Sequence, residues 1–87
     1  MPFYVYIIQS EQDNSYYKGF SEDVFQRLIH HNEGDSTYTR NKRPWKLLYY
    51  EEQPDKRSAL IREINLKKAT RSRIESLIKS HKNLLNN

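Results

Sequence analysis

A polar tetrapeptide, Glu11-Gln12-Asp13-Asn14, separates two runs of aromatic and β-branched residues, Phe3 to Ser10 and Ser15 to Phe20, and this arrangement commits the start of the chain to a β-hairpin. Because side chains alternate across a strand, a turn of even length determines which residues share a face. With the turn at residues 11–14, Ser10 faces Ser15, Tyr6 faces Gly19 and Ile8 faces Tyr17. Tyr6 and Tyr17 then lie on one face as diagonal neighbours, and Gly19 leaves open the space beside Tyr6 that a side chain would otherwise fill. A groove beside two phenols results. Tyrosine is common in strands, so ordinary packing accounts for either one alone, and only the combination with other residues points to chemistry.

A chain of 87 residues is expected to form one domain with one modest core; a domain of this size buries only roughly 60% of its unfolded surface, so any ligand binds near the surface. Aromatic residues, 13% of the chain, supply much of that core. Lysine and arginine number 15 against 11 acidic residues, a net charge of +4 that favours polyanionic partners without identifying one. The lack of cysteine excludes disulfides, zinc–thiolate sites and thiol nucleophiles. No stretch approaches the ~20 apolar residues of a membrane span and residues 1–10 do not read as an export signal, so the expected location is the cytoplasm.

After the hairpin, Ser21 is placed to cap a helix over residues 22–32, with Glu22 and Asp23 in its first turn and Phe20 and Phe25 closing as a hydrophobic staple. Its apolar stripe is Val24, Phe25, Leu28 and Ile29, which leaves Gln26, Arg27, His30 and His31 toward the other side or its margins. Residues 32–44 read as a loop and residues 45–51 as a third strand. Asp55 caps a second helix with Leu60, Ile61 and Ile64 toward the core; Thr70 or Ser72 opens a last one with Ile74, Leu77 and Ile78 inward. The order β-β-α-β-α-α predicts an α+β fold, one small sheet covered by helices.

Arg27 and His31 stand four apart on the first helix and hence on one side of it. Arginine offers a planar fork of donors matched to phosphate oxygens, and His31 titrates near neutrality and can accept or relay a proton. His30 points about 100° away, so the pair is not a metal motif; His81 has no role. No carboxylate cluster accompanies these residues, which leaves a two-metal site poorly supplied. One carboxylate with one cation, an arginine and phenol or imidazole proton acceptors suffices for phosphodiester hydrolysis.

These residues carry a resemblance. Tyr4-Val5-Tyr6 and Tyr17-Lys18-Gly19, followed by Gly19-Phe20-Ser21 leading to Arg27 and His31 and then by Arg62-Glu63, resemble the ordered motifs of the GIY-YIG nuclease superfamily, in particular its small stand-alone bacterial members. Asn32, Tyr38-Thr39-Arg40 and the strand from Trp45 to Glu52 extend the likeness over nearly the whole chain. It departs where Tyr4 replaces a glycine and Lys18 an isoleucine, and no position is assigned as counterpart to an asparagine that supports the site in some relatives. The resemblance implies a three-stranded antiparallel sheet flanked by helices and metal-dependent hydrolysis of DNA, in repair or recombination. At the matching positions Tyr17 or Tyr6 orients or deprotonates the attacking water, Arg27 stabilises the phosphate, His31 assists proton transfer, and Glu63 binds a single magnesium or manganese ion.

The expected binding surface is basic. Lys18, then Arg40, Lys42 and Arg43 beside Tyr38 and Trp45, and Lys67, Lys68, Arg71 and Arg73 around the junction of the last two helices offer phosphate neutralisation, with base stacking on the aromatics. DNA ranks ahead of RNA as partner, and substrate choice is expected to depend on a protein partner, on dimerisation or on loose selectivity for DNA structure. Two alternatives stand beside hydrolysis: a nucleic-acid-binding module with a vestigial site, and a protein-interaction adapter docking an acidic partner through the basic face.

Overall fold

The computed structural model describes residues 1–86, arranged as β1 (Phe3–Ser10), β2 (Tyr16–Ser21), α1 (Val24–Glu33), β3 (Trp45–Gln53), α2 (Lys56–Lys67) and α3 (Arg71–Ile78), with short 3-10 turns at Arg40–Lys42 and Leu84–Asn86. The three strands form one antiparallel sheet in the order β2-β1-β3. The α+β class and the order β-β-α-β-α-α are as expected.

β1 is central and covered on both faces, which is why its sequence is almost continuously apolar rather than alternating. Val5 and Ile7 point to one side, where Tyr49, Ala59, Leu66, Ile74 and Leu77 complete a core under α2 and α3. Tyr6 and Ile8 point to the other, where Val24 and Trp45 are buried and Tyr4, Tyr17, Leu28, Leu47 and Tyr50 pack around them under α1. Tyr6 pairs with Gly19 and Ile8 with Tyr17, the register required by the turn length. Ser10 and Ser15 close that turn through a 2.9 Å backbone hydrogen bond. A register shift between Ile7 and Ile8 on the β3 side leaves Ile7 opposite Tyr49 but Ile8 opposite Leu47.

Both long helices present a different face from the one their hydrophobicity suggests. On α1 the inward stripe is Val24, Arg27, Leu28 and His31, while Phe25 and Ile29 face water. The two candidate stripes share Val24 and Leu28, so apolarity cannot choose between them; hydrogen bonds available to a buried His31 do. On α2 the inward residues are Ala59, Arg62, Glu63 and Leu66, and Leu60, Ile61 and Ile64 are exposed. Ala59 lets the helix lie close against the sheet, and Arg62 finds Glu51 of β3 at 3.0 Å. Each stripe follows i, i+3, i+4, i+7 spacing with polar residues in it.

The caps also depart in part from expectation. Asp23, not Ser21, caps α1, accepting from the Gln26 amide at 3.0 Å, so Glu22 and Asp23 precede the helix instead of occupying its first turn. No staple forms, because Phe20 packs with Phe3 in the Val5 core and Phe25 against Tyr50. Asp55 caps α2 and Thr70 caps α3. Gly34, left-handed at φ 86°, ends α1.

Candidate active site

The centre of the α1 face of the sheet is a buried polar cluster. The hydroxyl of Tyr6 lies 2.8 Å from His31 Nε2, and His31 Nδ1 lies 2.7 Å from the Thr39 hydroxyl. Tyr17 meets the imidazole edge-on at 5.2 Å. Tyr6, His31 and Thr39 are all buried, and among the described residues no buried side-chain nitrogen or oxygen lacks a partner.

Burial pushes the Tyr6 phenol up to about 12; Tyr17 nearby adds to the rise, and the Arg27 guanidinium, within hydrogen-bonding reach, opposes it. Burial, then the charges of Arg27 and His30, lower His31 to about 4. Both rings are therefore neutral at neutral pH. One arrangement that satisfies both contacts has the Tyr6 hydroxyl donating to Nε2 and Nδ1–H donating to the Thr39 hydroxyl. Arg27 also lines a shallow groove of about 250 Å³ with Ser21, Gln26 and His30, its opening to solvent.

Three residues outside the expected catalytic set hold this arrangement. Thr39 fixes the imidazole, and the Trp45 indole donates to the Thr39 carbonyl at 2.9 Å. Asn32 grips the Trp45 backbone twice, donating to its carbonyl at 3.0 Å and accepting from its amide at 2.7 Å. The loop from α1 to β3 is thereby tied to the site. Polar side chains in a loop give no periodic signal, and only the resemblance brought Thr39 and Asn32 into view.

Glu63 stands differently. Its helix covers the Val5 face, not the face of the phenols, and its carboxylate pairs with Lys67 at 3.3 Å. It nevertheless raises the Tyr6 pKa, the smallest of the influences on that phenol. The Tyr6 ring crosses the bare Gly19 of edge strand β2, so close that a Cβ there would lie 2.6 Å from the hydroxyl, and this carries the phenol toward the rim that α2 flanks. Tyr6, Tyr17 and His31 are thus gathered by direct contacts, Arg27 stands near enough to act on the Tyr6 and His31 rings, and Glu63 acts on Tyr6 through its charge.

As a metal ligand Glu63 offers one hard carboxylate, 8% exposed, whose lysine partner is mostly in water and can leave. That donor set fits a magnesium or manganese ion that keeps most of its waters. A second group, His30, Glu33 and Asp35 at the far end of α1, places ligand atoms within 4.8 Å of one another; it is largely exposed, and such clusters are common without an ion.

The basic residues are dispersed. Lys42 pairs with Asp13 at 3.2 Å, and Arg40 and Arg43 line an open groove of about 460 Å³ with Gln12, Asn32, Asn41 and Pro44. Arg71 stacks on Tyr16 at 4.5 Å, and Lys18 lies 5.9 Å from the same ring. Lys67, Lys68 and Arg73 are exposed. Tyr38 is free for stacking, but Trp45 is not: its ring is buried and its N–H committed to Thr39, so the expected stacking role for it is withdrawn. No helix among the described residues is long and apolar enough to cross a membrane.

A family model described as the GIY-YIG catalytic domain matches residues 2–83. The chain is 39% identical to a UPF0213 protein of Streptococcus agalactiae over 95% of this chain and 94% of that one. To one of Bacillus subtilis it is 35% identical, over 92% and 81%. The solution NMR structure of a UPF0213 protein from Bacillus halodurans superposes with a TM-score of 0.59 at 31% identity, covering 98% of this chain and 90% of the other. Those names carry no activity; the domain points to nuclease-type chemistry.

Proposed function

The chain belongs to the GIY-YIG family, and from that membership we propose that it is a single-domain, metal-dependent nuclease cutting phosphodiester bonds in DNA. The observation that supports this best is the Tyr6–His31 hydrogen bond of 2.8 Å with Arg27 beside it, a proton acceptor and a phosphate-binding cation in one cluster.

A phenol with a pKa near 12 does not take a proton from water unaided at neutral pH. Tyr6 instead orients the attacking water through its oxygen while its own proton stays on the hydrogen bond to His31 Nε2, because an imidazole lowered to about 4 does not keep that proton at neutral pH. Thr39 holds the ring so that the accepting nitrogen faces Tyr6. Tyr17 lies beside the same imidazole and orients the water. Arg27 donates to the scissile phosphate as charge builds on it in the transition state. Glu63 holds magnesium or manganese, which supplies Lewis-acid polarisation of the phosphate when bound.

Lys18, Arg40, Lys42, Arg43, Lys67, Lys68, Arg71 and Arg73 contact backbone phosphates without reading sequence, so the enzyme recognises DNA structure or depends on a protein partner for its target. Cytoplasmic action on DNA in repair or recombination fits this reading.

The test is incubation with end-labelled single-stranded, duplex, flap and junction DNAs, with and without manganese, beside Glu63→Ala and Arg27→Ala. Manganese-dependent nicks that vanish in both folded variants are expected. Cleavage retained in both removes the assignment, and salt-sensitive binding without turnover replaces it with a binding module.

A further inference from the structure

Beyond the hydrolytic cluster, the same sheet face ends in a pocket of about 220 Å³ lined by Tyr4, Tyr50, Phe25, Val24, Glu22 and Asp23. Tyr50 meets Tyr4 at 5.9 Å and 62°, and Phe25 at 5.6 Å and 78°. The three rings are steeply inclined to one another, with Tyr50 in contact with both of the others, and together they form the aromatic wall of the pocket. Phe25 is 54% exposed. A phenylalanine so uncovered, on a helix whose apolar residues had a core within reach, is spare aromatic surface beside a cavity.

The charges here run against the rest of the molecule. The chain carries a net +4, yet this pocket is lined by two carboxylates and no basic side chain. Among the described residues neither Glu22 nor Asp23 has an ion-pair partner. Asp23 commits one oxygen to the Gln26 amide, and Glu22 has no such duty. An anion is repelled there, and an uncharged apolar ligand would strip water from the carboxylates without replacing it. Aromatic faces with adjacent negative charge are the combination that attracts a cation bearing apolar substituents.

We infer that the Tyr4–Phe25–Tyr50 pocket binds an organic ammonium group. Its carrier is a free polyamine or a lysine side chain of a partner, both of which present an alkylammonium. The rings take the alkyl groups and their share of the charge, and Glu22 supplies the counter-charge.

Amide chemical shifts of the full chain report this directly. Tetramethylammonium chloride, spermidine and Nα-acetyl-lysine methylamide are each titrated against sodium chloride at equal ionic strength. Saturable shifts confined to Tyr4, Glu22, Asp23, Phe25 and Tyr50 are expected. Phe25→Ala, which removes an exposed ring and spares the fold, weakens binding roughly fivefold, as does Glu22→Gln, while Tyr50→Phe, which keeps its ring, leaves binding intact. Spermidine ahead of the lysine amide identifies a polyamine site, and the reverse a lysine-reading one. Shifts no different from those of sodium with all three probes, or equal binding by Phe25→Ala, overturn the inference.

Discussion

A Cβ on Gly19 would stand 2.6 Å from the hydroxyl of Tyr6, inside any tolerable contact. Gly19 has no positive φ to excuse it, so the requirement is steric: the ring of Tyr6 occupies the volume of the absent side chain. Gly19→Ala is therefore expected to push the phenol off its line to His31 and lower cleavage about 100-fold, the usual scale for a misplacement of about 1 Å. Single-turnover cleavage beside an amide fingerprint spectrum checks this. Full activity in Gly19→Ala would remove Tyr6 from the reaction.

Burial of a neutral His31 makes stability depend on pH. Its folded pKa is lowered to about 4 from an ordinary 6.5, so between those values the unfolded chain binds a proton that the native state refuses. Stability is complete above pH 6.5 and falls as pH drops toward 4, by about 3 kcal/mol in all. Tyr6 acts at the other extreme: its phenol ionises only near 12 when folded, so stability declines as pH rises above 10. Urea unfolding across the range measures both, and the His31 imidazole proton shift locates the first. An imidazole titrating near 6.5 in the folded protein would contradict the account.

Thr39→Val removes the partner of a buried ring nitrogen while keeping the shape of the side chain. The stranded nitrogen destabilises the fold by about 1–3 kcal/mol, and the tautomer facing Tyr6 is no longer enforced. Loss of stability with unchanged cleavage per folded molecule would confine Thr39 to a structural role.

Asn32→Ala breaks both clamps on the Trp45 backbone. The expected loss is about 2 kcal/mol, since two part-buried backbone groups lose their partners together. The one tryptophan of the chain reports the change through its fluorescence. An unaltered emission spectrum and midpoint would show that the loop is held by other means.

Lys67→Ala releases the Glu63 carboxylate from its ion pair. An ion pair whose lysine is largely in water is worth about 1 kcal/mol at most, so the manganese concentration for half-maximal cleavage should fall by up to about fivefold. Glu63→Gln should raise it beyond reach. An unchanged metal requirement in Glu63→Gln would separate Glu63 from the ion.

The sequence by itself determined whatever rests on counting. The four residues between Ser10 and Ser15 dictate that Tyr6 meets Gly19 and Ile8 meets Tyr17, because strand alternation leaves no other parity. Asp55, beyond Pro54, marks the start of α2 for a similarly local reason: a carboxylate can accept from the Ser58 amide with no help from the rest of the fold. Which face a helix buries is not local. On α1 and α2 adjacent stripes compete, and hydrophobicity favours Phe25, Ile29, Leu60, Ile61 and Ile64, all of which lie in water. Tertiary structure turned His31 and Arg62 inward, with Arg27 and Glu63 on the same stripes, because the sheet offers Tyr6 and Glu51 and the loop from α1 to β3 offers Thr39, and a satisfied polar group can be buried where an unpaired one cannot. The polar cluster is assembled by that choice.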